Sequence, residues 1–387
     1  MRPLTKRALA QAVPRRSSCL FCQSHRRAFA SAPAPAAAPA APPACGLARL
    51  PSRQLLSVSG PDTAKFLQGI VTANVSTKDD RTVDSGSYAG FLNATGRVMH
   101  DVFIYPGRNG FAGTEEGSSY IIEADAREID KLAKLIKRYK LRAKVNVRKI
   151  DPAEVSVWHA WTDSSLDTNP TATSIRLADP RTADMGCRII QLGDNPPEAD
   201  LEQATEDAYT IRRYLRGVPE GPSEILREQA LPQESNMDFM NGIEWHKGCY
   251  VGQELTIRTK HRGIVRKRIL PCIVYDKNAP APEALAYDPS STAAQDVPAE
   301  TSIGRFERRG RSAGKWLRGV GNVGLGLCRL EIMTGTTLPG ETAAATFTPQ
   351  DEFVLEWGQE GEKTGVKVKA FVPEWIQQGL DAHAASR

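Results

Sequence analysis

From Ile264 onward the apolar residues come in short runs, each followed by glycine, proline or polar residues. The runs cover 264–275, 303–306, 320–327, 344–347 and 366–371. Short runs with turn signals between them build strands, and several such strands make a small barrel or sandwich. Gly319, Gly321, Gly324 and Gly326 fall in this region, but no strand–GxGxxG–helix order surrounds them, so they do not form a dinucleotide fingerprint. Residues 276–300 are rich in Ala, Pro, Ser and Asp and read as a disordered insertion.

The preceding part mixes helical and strand periods. Residues 55–58 read as a strand. Ser59-Gly60-Pro61 opens a short helix with Phe66, Leu67 and Ile70 on its apolar face, and Gly69 ends it. Residues 86–105 read as a hairpin around Asn93-Ala94-Thr95-Gly96. Asp101 stands among apolar residues of the return strand. A carboxylate there either faces solvent or serves a ligand pocket, because burial without a partner is costly. Residues 120–123 form a strand, and Asp125 with Glu128 reads as a capping pair for the next helix. That helix carries Ile129, Leu132, Ala133, Leu135, Ile136 and Tyr139 on one face and turns Lys131, Lys134, Lys137 and Arg138 to solvent. Strands follow at 144–150, 155–161 and 187–192, then a helix over 201–216 stopped by Gly217. The chain divides into 1–45, a leader and Ala/Pro-rich linker; 46–262, an α+β region of mixed or antiparallel sheets with helices; and 263–387, a β-barrel.

Charge sorts the chain differently. The first 61 residues lack Asp and Glu but hold nine Arg and Lys. An Arg-rich, Ser-bearing, acid-free start is the composition of a mitochondrial transit peptide, with Arg26-Arg27-Ala28-Phe29 as a processing site. Without the seven bases up to Arg27, 43 Lys and Arg face 45 Asp and Glu. A near-neutral body gives nucleic-acid binding no support. No stretch approaches the length of a membrane span. Of seven cysteines, Cys19 and Cys22 form a CxxC within the leader. The other five are isolated and do not cradle a metal by themselves, so no stably bound metal is expected.

One of those five sits in Lys247-Gly248-Cys249-Tyr250-Val251-Gly252-Gln253-Glu254. Gly248 and Gly252 read as a tight loop. About two turns of helix follow, ending in Arg258, Lys260, His261 and Arg262. Cys249 then stands ahead of a helix N-terminus with His246 and Lys247 beside it. Cations and a helix N-terminus favour a thiolate, so Cys249 reads as a reactive group assisted by Lys247. The bland alternative is a buried cysteine in a turn.

This octet closely resembles the signature of the mitochondrial iron–sulfur cluster assembly factors that share a fold with the T-protein of glycine cleavage. Gly217-Val218-Pro219-Glu220-Gly221, Leu231-Pro232-Gln233-Glu234, Val58-Ser59-Gly60-Pro61-Asp62 and Leu92-Asn93-Ala94-Thr95-Gly96-Arg97 resemble that family too. The resemblance covers about residues 46–275 well and the barrel loosely. It implies a folate-binding, aminomethyltransferase-like fold with a C-terminal barrel, and maturation of 4Fe–4S clusters in the mitochondrial matrix. It implies A-type iron–sulfur carrier proteins as partners and aconitase-type and radical-SAM enzymes as clients. Cys249 would be a transient, shared iron–sulfur ligand. A tetrahydrofolate pocket would draw on Asp101, Asn93, Arg97, Tyr250, Gln253 and Glu254. The rival is a folate-dependent one-carbon transferase. Such transferases hold the pterin with the Glu of Arg-Leu-Glu-Ala-Gly; here Leu215 stands in that place, within Arg213-Tyr214-Leu215-Arg216-Gly217.

Overall fold

The computed structural model describes residues 37–75, 86–108, 111, 119–164, 166–306, 310–336, 338, 347–359 and 363–385. The leader with its processing site and CxxC lies outside the described residues up to 36, as does most of the 344–347 run. In chain order the first elements are β1 (Gly46–Arg49), β2 (Arg53–Ser59), α1 (Thr63–Gln68), β3 (Ser87–Leu92), β4 (Val98–Pro106), β5 (Ser119–Asp125), α2 (Ile129–Tyr139) and β6 (Asn146–Lys149). Next come β7 (Val155–Trp161), β8 (Ser174–Ala178), β9 (Cys187–Leu192), β10 (Gln203–Ala204), α3 (Glu206–Arg216) and α4 (Gln253–Arg262). The last are β11 (Lys267–Tyr275), α5 (Ala293–Asp296), β12 (Ser302–Arg305), β13 (Gly314–Val320), β14 (Val323–Arg329), α6 (Leu330–Met333), β15 (Phe353–Trp357), β16 (Thr364–Ala370) and α7 (Glu374–Ala385).

Two five-stranded sheets, ordered β10-β1-β7-β9-β8 and β3-β4-β5-β2-β6, precede a closed barrel β11-β14-β13-β12-β15-β16. Closure leaves the barrel without an open edge. The two sheets share a core in which Tyr88, Phe103 and Tyr105 of one meet Val157, Trp161 and Ile190 of the other. The second sheet buries its other side under α1 and α2 through Leu67, Ile129, Leu132 and Ile136. Helix α3 lays Ile211 and Tyr214 against the outside of the barrel at Ile269, Leu317 and Leu325. Among the described residues no helix is long and apolar enough to cross a membrane.

Several local expectations change. The 201–216 helix starts only at Glu206, because Thr205 caps it by accepting the Ala208 N–H and Gln203–Ala204 add a parallel strand to β1. Asp125 does not cap α2; it ends β5 and accepts the Arg127 N–H at 2.8 Å, while the helix begins at Ile129. The 320–327 run is not one strand, since Gly321 (φ 64°) turns the chain between β13 and β14. Residues 276–300 are not a disordered insertion. Tyr287 Oη donates to the Pro39 carbonyl at 2.6 Å, the Asn322 amide donates to Ala286 O at 3.0 Å, and Ala294 and Val297 are buried in the barrel core. A few apolar anchors and side-chain-to-backbone bonds hold a segment whose composition reads as unstructured.

Candidate functional site

The cysteine loop is sewn to the turn that follows α1. Thr72 is fully buried and lies at the centre of the seam. Its hydroxyl donates to Gly242 O and accepts the Gly90 N–H at 2.7 Å, and its carbonyl accepts the Glu244 N–H at 2.9 Å. Further along, Val251 N–H donates to Gly69 O at 3.1 Å. Lys247 Nζ donates to Val71 O at 2.7 Å and Ala73 O at 2.6 Å, under the Tyr250 ring at 5.2 Å. Burial pushes the Lys247 amine down to about 7, with Glu244 opposing. Lys247 therefore is not free beside the thiol; its ammonium is spent on two backbone carbonyls.

Between these anchors Cys249 is exposed, while Tyr250 turns inward and joins the core between the sheets. Gly248 has open space where a side chain would stand, so nothing there demands glycine. Gly252 is different. It caps α4 at φ 82°, and a Cβ would lie 2.5 Å from Asn93 O. Gly96, at φ 78°, faces Gly252 O and Leu255 from the other side. Two motifs more than 150 positions apart in the chain thus meet backbone to backbone. The thiol stands ahead of α4 as the residue order requires, and Gln253 Oε1 accepts the Tyr250 N–H at 3.3 Å.

The other cysteines lie in different surroundings. Burial raises the Cys187 thiol to about 11. Cys272 and Cys328 are buried in the barrel with their sulfurs 3.8 Å apart, and Cys328 is raised well above the usual range by its hydrogen bond to Cys272 and by burial. Cys45 is half-buried against Thr162. Among the described residues no three His, Cys, Asp or Glu come together to hold a metal.

Of the residues expected to hold tetrahydrofolate, Asn93, Tyr250, Gln253 and Glu254 gather around Gly252, and Asp101 lies apart in the buried network. Asp101 is buried, and both its oxygens accept the Gly221 N–H at 3.1 Å. Burial raises its carboxyl, against the pull of Arg53. Asn93 Oδ1 accepts from the Thr95 N–H, the Thr95 hydroxyl and the Arg97 N–H, which shapes the hairpin turn. Arg97 donates to Gln229 O at 2.8 Å and lines a cavity of about 400 Å³ with Glu224, Leu226, Lys267 and Leu327. Glu254 is exposed on the first turn of α4. Leu215 packs against the apolar cluster of Ile211, Tyr214 and the barrel's outer face. Neither Asp101, whose oxygens are taken by the Gly221 N–H, nor the apolar Leu215 offers a free carboxylate to a pterin.

Asp101 instead belongs to a buried ionic network that residue order did not reveal. Arg53 pairs with Glu123 at 2.7 Å, and Arg188 approaches Glu123 at 3.7 Å and Glu220 at 2.6 Å. Arg181 reaches Asp179 at 2.7 Å and Glu220 at 2.8 Å, and Arg213 reaches Glu224 at 2.7 Å. Burial alone would raise Glu220; Arg188, Arg53, Arg181 and Arg213 hold it well below the carboxylate range. The one available signal was a single charge inside an apolar strand, as in Tyr120-Ile121-Ile122-Glu123 and Cys187-Arg188-Ile189-Ile190.

Two antiparallel-rich sheets followed by a closed barrel define a class. The glycine cleavage system aminomethyltransferase T from Bartonella henselae matches with a TM-score of 0.59 over 87% of each chain at 12% identity, which shows the fold. Residues 266–378 match the family model described as CAF17, C-terminal beta-barrel domain. The fold is thus aminomethyltransferase-like, with a barrel that matches the CAF17 C-terminal domain, and it presents a cysteine on a sewn loop. A Pyricularia oryzae protein is 55% identical over 88% of this chain and 87% of its own, and one from Chaetomium globosum is 47% identical over 87% and 84%. A Neurospora crassa protein is 46% identical over 93% of this chain and 88% of its own. All three are named iron–sulfur cluster assembly factor IBA57 homolog, mitochondrial. The chain belongs to the IBA57 family of mitochondrial iron–sulfur cluster assembly factors.

Proposed function

We propose that this chain works in the mitochondrial matrix as an iron–sulfur cluster assembly factor, with Cys249 Sγ as the group that meets the cluster. The observation that carries this reading is the exposure of Cys249 on an anchored loop while Cys187, Cys272 and Cys328 are buried. A-type iron–sulfur carrier proteins would bring the cluster, and 4Fe–4S enzymes of the aconitase and radical-SAM types would receive it. The cluster is cargo. The Cys249 S–H bond breaks and its proton passes to solvent; a sulfur–iron bond forms; a weaker ligand leaves that iron; no electron moves. One thiolate cannot hold a cluster alone, so the remaining ligands come from the partner. The scheme runs through Cys249 and assigns no step to tetrahydrofolate.

The test is an anaerobic absorption spectrum of the protein mixed with a cluster-loaded carrier. The wild type is expected to shift the cluster bands and Cys249→Ser to leave them unchanged. Identical spectra for the two proteins would overturn the role of Cys249.

A further inference from the structure

We infer that Lys247 is a positioning residue, whose amino head clamps the crest of the cysteine loop to the turn after α1 and so holds Cys249 Sγ outward. This rests on the reading of Cys249 as the working thiol, and it changes what its basic neighbour does. The loop has backbone anchors at Glu244, to Thr72 O, and at Val251, to Gly69 O. The arc between them carries an open Gly248 and an exposed Cys249. Tyr250 ties its inner end to the core. On the outer side, before the cysteine, the tether is Lys247 Nζ on Val71 O and Ala73 O. Val71 and Ala73 are themselves buried, and Val71 bridges to Phe91 of β3, so the clamp grips a rigid part of the sheet.

The geometry separates two roles a lysine could play there. A thiolate-stabilising lysine points its ammonium at the sulfur. This one points at the carbonyls of Val71 and Ala73, with its nitrogen over the Tyr250 ring at 5.2 Å. Three donors on a compact head suit two carbonyls two residues apart; the planar fork of arginine suits them less well. Loss of a donor shared by two buried acceptors should shift the crest roughly tenfold to hundredfold toward a released state.

The experiment attaches a nitroxide to Cys249 in full-length protein carrying Cys19→Ser, Cys22→Ser and Cys45→Ser, and reads its mobility by electron paramagnetic resonance. Lys247→Met, which keeps the stem, is expected to give a mobile spectrum with the thermal transition retained, and Lys247→Arg to recover part of the immobilisation. In parallel, unlabelled Lys247→Met is expected to slow transfer from a cluster-loaded carrier about tenfold, in line with that shift. An immobile label in Lys247→Met would overturn the clamp whatever transfer does. A mobile label would sustain the clamp even where Cys249→Ser proves inert in transfer, a result that would fall on the proposed function instead. Should Lys247→Met not fold, Lys247→Ala removes the donors as well, and an immobile label there would count against the clamp in the same way.

Discussion

Cys249 owes its chemistry to where the loop puts it. Thiols react through access and thiolate character, and buried ones in apolar surroundings are inert. In folded protein, alkylation should therefore mark Cys249 first and leave Cys187, Cys272 and Cys328 protected until unfolding. Mass spectrometry of the modified peptides against time checks this, and equal rates would contradict the burial pattern. Two histidines give a prediction of a different kind. Burial, with Arg227 beside His100 and Arg188 beside His159, lowers both to about 3 from 6.5. The folded chain refuses a proton that the unfolded chain accepts below 6.5. Their contribution is therefore complete above 6.5 and is lost as pH falls toward 3, by about 1.4 kcal/mol per unit for each histidine. Denaturant midpoints measured from pH 7 to 5 should fall, and a His100→Gln, His159→Gln variant should fall less steeply.

At the scale of elements, the site is a junction between a hairpin turn, a helix start and the segment after α1. Gly252 has to hold φ 82° where Asn93 O and Leu92 Cβ leave no room for a side chain. Gly252→Ala should destabilise the fold by about 1–2 kcal/mol from the backbone conformation alone, with the overlap adding to it. Gly248→Ala, in open space, should leave stability within about 0.5 kcal/mol. Urea titration of both variants compares them directly, and equal losses would mean that the junction is looser than its contacts. Helix α3 shows the same logic at its other end. Gly217 closes it at φ 70° and sits against Pro271 and Pro373, so the stop residue is also a docking point for the barrel.

Across the whole molecule, a buried ionic network ties the two sheets and the segment after α3 together. Arg53 and Glu123 come from one sheet, Arg188 from the other, and Glu220 from the segment after α3. Buried charges hold together only while each has its partner, and removing one leaves the rest uncompensated. Glu220→Gln keeps the shape but removes the negative charge shared by Arg181 and Arg188, and should cost about 3–5 kcal/mol. Differential scanning calorimetry would show it as a single lowered transition. A neutral outcome would mean that water enters between the sheets.

The sequence by itself determined the strands and helices with strong local patterns: the hairpin around Asn93–Gly96, helix α2 with its basic outer face, the stop at Gly217 and the loop–helix step at Gly252. It also determined the family, because the octet around Cys249 is specific enough to resemble one signature closely. Strands β8, β13 and β15 escaped notice because each is short and mixed in composition, and pairing with neighbours, not local preference, makes them strands. The direction of the Lys247 head, the sealing of Asp101 and the Arg–Glu network were decided by tertiary structure. A charged side chain has many acceptors within reach of its stem, and which of them it meets depends on segments far along the chain that only the fold brings close.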